Sequence, residues 1–180
     1  MAGRVNPGVA MLVAVVGPSG AGKDTVLEGL RRAGHAVARR AITRPAEAGG
    51  EDHAAMTEAE FAAADFALQW QAHGLHYGIF RSIEAELALG RIVLANLSRT
   101  VLEQAARRYP FVVLEITAPP EILAARLAAR GRESAGDIAA RLAREAPLPP
   151  GLRVLRVVND TTPEAAIARA EKLLASLEVA

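Results

Sequence analysis

Two observations predict an α/β domain built on a parallel sheet. Along the 180 residues, apolar segments of strand length alternate with helix-compatible segments, the order expected where crossover helices join parallel strands. The first apolar segment, residues 9–16, runs directly into Gly17-Pro18-Ser19-Gly20-Ala21-Gly22-Lys23-Asp24, and a helix-compatible stretch follows from Lys23. Strand, glycine-rich loop and helix in that order are the context a phosphate-binding loop requires.

The chemistry of this loop is legible residue by residue. Glycines let consecutive N–H groups turn inward around phosphate oxygens. The helix N-terminus adds favourable potential for an anion, and Lys23 is placed to reach the terminal phosphates of a nucleotide. The expected nucleotide is ATP with Mg2+. A Ser or Thr normally holds magnesium at the eighth position of such a loop. Here that position is Asp24, with Thr25 one step later.

The remaining elements follow from their patterns. Residues 9–16 are continuously apolar, as in a central parallel strand covered on both faces. Val26, Leu27 and Leu30 give the first helix an apolar face, and Gly34 ends it. Residues 35–42 read as a second strand, 45–52 as a loop. Thr57 and Glu60 form a capping box before a short helix ending near Ala64. Strands at 66–72 and 75–79 flank a turn at His73-Gly74. A helix over 81–89 stops at Gly90, a buried strand covers 92–95, a helix 99–108 and a strand 111–116. A helix begins at Pro119 and breaks at Gly131, and a second helical piece covers 137–145. Residues 154–158 form the last strand, and Pro163 opens a C-terminal helix.

Composition narrows the chemistry. A net charge of +1 supplies no global field for nucleic acid. The absence of cysteine excludes disulfides, thiolate catalysis and zinc–sulfur sites. No run of 18 apolar residues is present, so no membrane span is expected. The apolar N-terminal run ends in the phosphate loop without a cleavage signal, which makes the cytoplasm the expected compartment. One domain is expected over 1–180, with a core at about 9–42, 81–129 and 146–180. A substrate-binding subdomain is expected at about 43–80 and a lid at about 130–145.

Ligands of parallel α/β sheets bind beyond the strand C-termini, where Gly17, Asn96, Thr117 and Asn159 fall. Arg126, Arg130, Arg132, Arg141 and Arg144 cluster around Gly131 and Gly136, and Arg126 and Arg130 share one helix face. Arginines at a helix break suit a lid that closes over phosphates and neutralises charge on a phosphoryl group in flight. A solvated basic helix surface is the other reading. Arg44, held extended by Pro45, is a candidate for an acceptor phosphate, with Arg39 or Arg40 nearby. Tyr77 is either a phosphate donor or a core ring. Asn96 stands where phosphate-loop enzymes often carry aspartate, so Asp24 is the candidate metal ligand: the negative charge is moved, not removed. Asn159 and Asp160 either touch an adenine edge or form a turn capping the last helix.

Taken together, GPSGAGK at 17–23, TRP at 43–45, HYG at 76–78, RLAARG at 126–131 and ND at 159–160 resemble the guanylate-kinase-like superfamily, over nearly the whole chain. Within it, GKD at 22–24, WQAHGLHYGI at 70–79, VLANLSR at 93–99 and RLAARGRE at 126–133 are most similar to the ribose 1,5-bisphosphate phosphokinase (PhnN) family. That resemblance implies a three-layer P-loop kinase fold with a small substrate-binding subdomain and an arginine-rich lid. It also implies ATP-dependent conversion of ribose 1,5-bisphosphate to 5-phosphoribosyl diphosphate, in phosphonate breakdown. The implied partner is a small sugar phosphate, with the protein a monomer or homodimer.

By similarity to guanylate kinases, Lys23 contacts ATP phosphates, Arg44 and Tyr77 hold the acceptor phosphate, Arg130 and Arg141 act in the closed lid, and Asn159 lies near adenine. The departures are Glu47 in place of a second arginine, Phe66-Ala67-Leu68-Gln69-Trp70 where a glutamate reads guanine, and Asn96. They favour a smaller acceptor than a purine nucleotide, with Gln69, Trp70 and His73 shaping its pocket. The alternatives are a nucleoside monophosphate kinase acting on GMP and a non-catalytic interaction domain. Gly22-Lys23 and the arginines speak against the second.

Overall fold

A computed structural model describes residues 9–45, 52–131, 134–143 and 147–178. At its centre lies β1 (Met11–Val16), paired in parallel with β7 (Ile92–Asn96) on one side and β8 (Phe111–Thr117) on the other. β2 (Ala36–Val37) and β9 (Val154–Val158) complete a five-stranded parallel sheet in the order β2-β7-β1-β8-β9. Strand side chains alternate between faces, so β1 serves two cores. Val13 and Val15 pack with Val26, Leu30, Leu114 and Ile116, beneath α1 (Lys23–Arg32) and α7 (Pro163–Leu177). Leu12, Ala14 and Val16 pack on the opposite face with Ile83 of α3 (Ile83–Ala88) and with Leu102 and Ala105 of α4 (Leu102–Arg108). A strand apolar at every position is thereby buried on both sides, which completes the three-layer arrangement.

Helix ends follow local chemistry. Beyond α1, Gly34 adopts φ 99°, and the Gly34 and His35 N–H groups donate back to Arg31 O and Leu30 O. This pair of bonds is a Schellman closure, which needs a residue tolerant of left-handed backbone. The box expected at Thr57 and Glu60 caps α2 (Glu58–Ala63) in both directions.

A second sheet, ordered β4-β3-β6-β5, combines β3 (Arg40–Ile42), β4 (Ala54–Ala55), β5 (Phe66–Ala72) and β6 (Leu75–Phe80). β5 and β6 form a hairpin whose two-residue turn, His73-Gly74, has φ 52° and 73°. Positive φ at both positions is the twist-matched primed turn of tight hairpins. Ala67, Leu68 and Ile79 of this sheet pack into the same core as Leu12 and Ala14, fixing the small sheet against the large one.

The strand expected at 35–42 is two strands. Ala36–Val37 pairs with β7 and the Ala38 N–H reaches Leu94 O at 2.8 Å, whereas Arg40–Ile42 pairs with β6 in the other sheet. The small sheet therefore begins at Arg40. Further along, the helix expected from residue 81 begins at Ile83, and the Arg81 N–H instead donates to Asp65 O at 3.2 Å. Residues 99–101 form a 3-10 turn ahead of α4. The helix expected over 119–130 is α5 (Pro120–Ala129), and the one expected over 137–145 is α6 (Ala135–Ala143).

Candidate active site

A cleft of about 360 Å³ opens where β1 and β7 end, between the glycine-rich loop and the small sheet. Ser19, Gly20, Gly22, Lys23, Asp24 and Thr25 form one wall. Arg40, Trp70, His73 and Tyr77 form the facing wall. Asn96, Leu97 and Ser98 close the floor beyond β7, and Arg130 reaches in from the end of α5. A larger hollow of about 980 Å³ runs along the edge of β2, lined by His35, Arg39 and Arg91. It includes no residue of the glycine-rich loop.

Sterics dictate the glycines of the loop. A Cβ on Gly17 would lie 1.9 Å from Ile116 O, and one on Gly22, at φ 90°, would lie 2.5 Å from Asn159 Nδ2. The loop is thus wedged between β8 and the segment after β9, leaving no room for side chains at these positions. Pro18 and Ala21 are buried in it, and the Ala21 N–H donates to Pro18 O at 3.1 Å. Lys23 Nζ donates to Gly17 O at 2.6 Å and Pro18 O at 3.0 Å, curling over the loop.

Asp24 and Asn96, far apart in sequence, meet across the cleft: Asn96 Nδ2 donates to Asp24 Oδ1 at 3.4 Å. Asn96 is 8% exposed. Its neutral amide orients the carboxylate without adding a second negative charge. Among the described residues no group of three or more His, Cys, Asp or Glu could hold a metal. One carboxylate beside a phosphate loop fits magnesium, which takes few protein ligands and shares its coordination with nucleotide phosphates and water.

The facing wall is aromatic and cationic. Trp70 stacks on Tyr77 with ring centroids 5.5 Å apart and planes 8° apart, and the Arg40 guanidinium lies 5.3 Å from the Tyr77 ring centre. Tyr77 is 9% exposed, a buried ring that also lines the cleft.

Other candidates lie elsewhere. Gln69 is exposed on β5, and strand alternation puts it on the face opposite Trp70, outside the cleft lining. Arg44 is half-buried and outside the lining; its O accepts from His53 Nε2 at 3.1 Å, and its Nε is buried without a hydrogen-bond partner among the described residues. Asp52 pairs with Arg39 at 2.8 Å. Arg126 is turned onto backbone carbonyls, donating to Asn159 O at 3.0 Å and Gly20 O at 3.3 Å. Asn159, 5% exposed, donates through Nδ2 to Ala21 O at 2.8 Å, so its amide faces the loop. The cap of α7 is Thr162, not the Asn159-Asp160 pair, and Asp160 is engaged by Arg169. Arg141 belongs to α6, but its side chain, like all of Arg132, Arg144 and Glu47, lies outside the described residues. Leu97 and Ser98, within the VLANLSR stretch but given no role from the sequence, join the lining; the available signal was their position just beyond a buried parallel strand.

A glycine-rich loop wedged at the end of a parallel sheet, facing a small second sheet across a cleft, is the architecture of the guanylate-kinase-like P-loop fold. No family model matches the chain. Curated relatives do. The chain is 54% identical over 165 residues to a ribose 1,5-bisphosphate phosphokinase PhnN of Acidiphilium cryptum, covering 89% of this chain and 90% of that protein. A protein of the same name from a Ruegeria species is 50% identical over 178 residues, 94% of each chain. The chain belongs to the ribose 1,5-bisphosphate phosphokinase PhnN family. It also matches 26% of a longer bifunctional ribose 1,5-bisphosphokinase-thymidine phosphorylase of Azorhizobium caulinodans, at 48% identity across 94% of this chain. Among solved structures, a guanylate kinase from Anaplasma phagocytophilum shares the fold with a TM-score of 0.64 at 17% identity, over 97% of this chain and 88% of that one. A gluconokinase from Sinorhizobium meliloti shares it with a TM-score of 0.53 at 18% identity, over 98% and 96%.

Proposed function

We propose that this protein transfers the γ-phosphoryl group of ATP to α-D-ribose 1,5-bisphosphate, giving 5-phospho-α-D-ribose 1-diphosphate and ADP. The observation that carries the reading is sequence identity of 50% or more to proteins of that name over nearly the whole chain. The cleft supports it, because its acceptor wall is built from Arg40, Trp70 and Tyr77, a cation and apolar rings suited to a compact anionic sugar.

The chemistry needs no general base. An oxygen of the acceptor's 1-phosphate, largely dianionic at neutral pH because the second phosphate pKa is about 6, attacks the γ-phosphorus. The bond from that phosphorus to the β,γ-bridging oxygen breaks, and ADP leaves. Alignment and charge neutralisation then carry the catalysis. Lys23 exchanges its loop carbonyls for nucleotide phosphates, and Arg130 meets the transferred group from the end of α5. Arg40 and Tyr77 seat the acceptor. Asp24, steadied by Asn96 and with Thr25 adjacent, is the residue suited to hold magnesium; the ion supplies neutralisation of phosphate charge. Residues 130–145 serve as the lid, Arg141 included, and exclude water from the transfer.

The test offers the purified protein ATP and magnesium with either ribose 1,5-bisphosphate or GMP, identifying products by mass. Formation of 5-phosphoribosyl diphosphate with little GDP is expected. Rapid GDP formation without the sugar diphosphate would overturn the reading.

A further inference from the structure

The proposed acceptor carries two phosphates, on C1 and C5, at opposite ends of the sugar. Only the first reacts, so it must lie beside the triphosphate, near Lys23 of the loop and Arg130 at the end of α5. The second then points away from the loop, toward the small sheet. An unreacting phosphate taken out of bulk water needs a cation of its own. Among the described residues lining the cleft, the remaining basic side chains are Arg40 and His73. His73 stands at the hairpin turn, three residues past Trp70 and so about 10 Å further along the strand. Arg40 stands at the other end of the same wall.

The topology fixes Arg40 at the bottom of the cleft. The Ala38 N–H still bonds to Leu94 O of β7, and the chain then crosses to the small sheet, where Arg40 stands opposite Ile79 of β6. Residues opposite one another share a face of a sheet, and so do alternate residues of one strand. Arg40, Ile79 and Tyr77 therefore share the face that also carries Trp70. That face changes character along its length. Leu68 and Ile79 are sealed in the core, whereas Trp70 and Tyr77 line the cleft. Arg40 lies at the boundary, half-buried, with its guanidinium 5.3 Å from the Tyr77 ring centre. Stacking on an aromatic face restricts the side chain before any ligand arrives, and the fork of a guanidinium matches phosphate oxygens bidentately.

We infer that Arg40 is the specificity-determining residue that reads the acceptor's 5-phosphate, with the ribose lying along the Trp70–Tyr77 wall and its 1-phosphate toward Lys23. The inference rests on the proposed acceptor and names how the cleft selects a bisphosphate. A site built around a polar donor discriminates strongly against an analogue that lacks the partner group. The test measures steady-state constants for ribose 1,5-bisphosphate in the wild-type protein, Arg40→Gln and Arg40→Lys. It also measures inhibition constants for ribose 5-phosphate and ribose 1-phosphate, each carrying one of the acceptor's two phosphates. In Arg40→Gln the KM for ribose 1,5-bisphosphate and the inhibition constant of ribose 5-phosphate should both rise about tenfold to a hundredfold, the worth of charge-assisted hydrogen bonds. The inhibition constant of ribose 1-phosphate and the KM for ATP should stay within about twofold. Arg40→Lys, a point charge without the fork, should show a smaller rise of the same selectivity.

Equal losses for both monophosphates in Arg40→Gln would put Arg40 on the reacting phosphate, or make it a support of the wall, and overturn the inference. So would a loss confined to ribose 1-phosphate, unchanged constants in the folded variant, or a wild-type protein that ribose 5-phosphate does not inhibit. If Arg40→Gln does not fold, Arg40→Lys decides. A rise of about threefold or more for ribose 5-phosphate alone upholds the subsite, and wild-type values overturn it. A wild-type protein that forms no 5-phosphoribosyl diphosphate from ribose 1,5-bisphosphate would overturn the proposed function and this subsite with it. Conversion of that acceptor with constants indifferent to Arg40 would overturn the subsite alone.

Discussion

Lys23, Asp24 and Trp70 each make a separate demand on experiment. Lys23→Ala removes the one lysine of the cleft wall, and kcat/KM for phosphoryl transfer should fall by about a hundredfold or more, the usual consequence of losing a preorganised charge at the transferring group. Asp24→Asn should leave a folded protein whose half-saturating magnesium concentration in the kinase assay rises several-fold. Its amide keeps the shape but not the charge that a hard cation favours. Unchanged magnesium dependence would separate Asp24 from the metal. Trp70 is the sole tryptophan, and its ring stacks on Tyr77 within the cleft. Titration with ribose 1,5-bisphosphate should therefore shift its fluorescence, while Gln69→Ala, on the opposite strand face, should leave the KM for that acceptor unchanged.

The small sheet depends on a close approach that its sequence pattern conceals. Gly78 of β6 faces Phe66, and a Cβ there would fall 2.6 Å from two ring carbons. Phe66 has little freedom to yield, because its ring lies 4.4 Å from Phe61 and 5.3 Å from Phe80 between centroids. Gly78→Ala should cost about 1–3 kcal/mol through overpacking, which for a chain of this length lowers Tm by several degrees. Thermal unfolding followed by circular dichroism measures the loss. The same substitution should raise the KM for the acceptor more than that for ATP, because Tyr77 is the adjacent residue of the same strand.

One contribution to stability at alkaline pH lies where the helices of one layer meet. Tyr109 Oη donates to Glu84 Oε1 at 2.7 Å, joining the end of α4 to α3. Burial and this bond to a carboxylate push the Tyr109 hydroxyl up to about 12, above the value of about 10 for an unfolded tyrosine. A raised folded-state pKa favours the protonated form, so its contribution is fully present below about pH 10 and is lost as pH climbs toward 12. Stability of the wild-type protein should decline more steeply across that window than that of Tyr109→Phe, as read by denaturant titrations at stepped pH.

Much of this molecule was legible along the chain. β1 is apolar at each position because both its faces are covered, and the phosphate loop is written in glycines that steric contact requires. Lys23, Asp24, Thr25, Tyr77, Asn96 and Arg130 all stand in or around one cleft. Those features depend on local spacing, strand and helix periodicity, and the chemistry of single residues, all of which a sequence carries. What depends on distant partners was not legible. Residues 35–42 divide between two sheets because their hydrogen-bond partners, in β7 and β6, lie dozens of residues away. Gln69 and Trp70 are neighbours in the chain, yet pleating sends them to opposite faces. The hydrogen bonds from Arg126 and Asn159 to Gly20 O and Ala21 O, 106 and 138 residues distant, were likewise invisible along the chain. A side chain's chemistry is local, but the direction in which it is spent follows from packing that only the folded chain brings together.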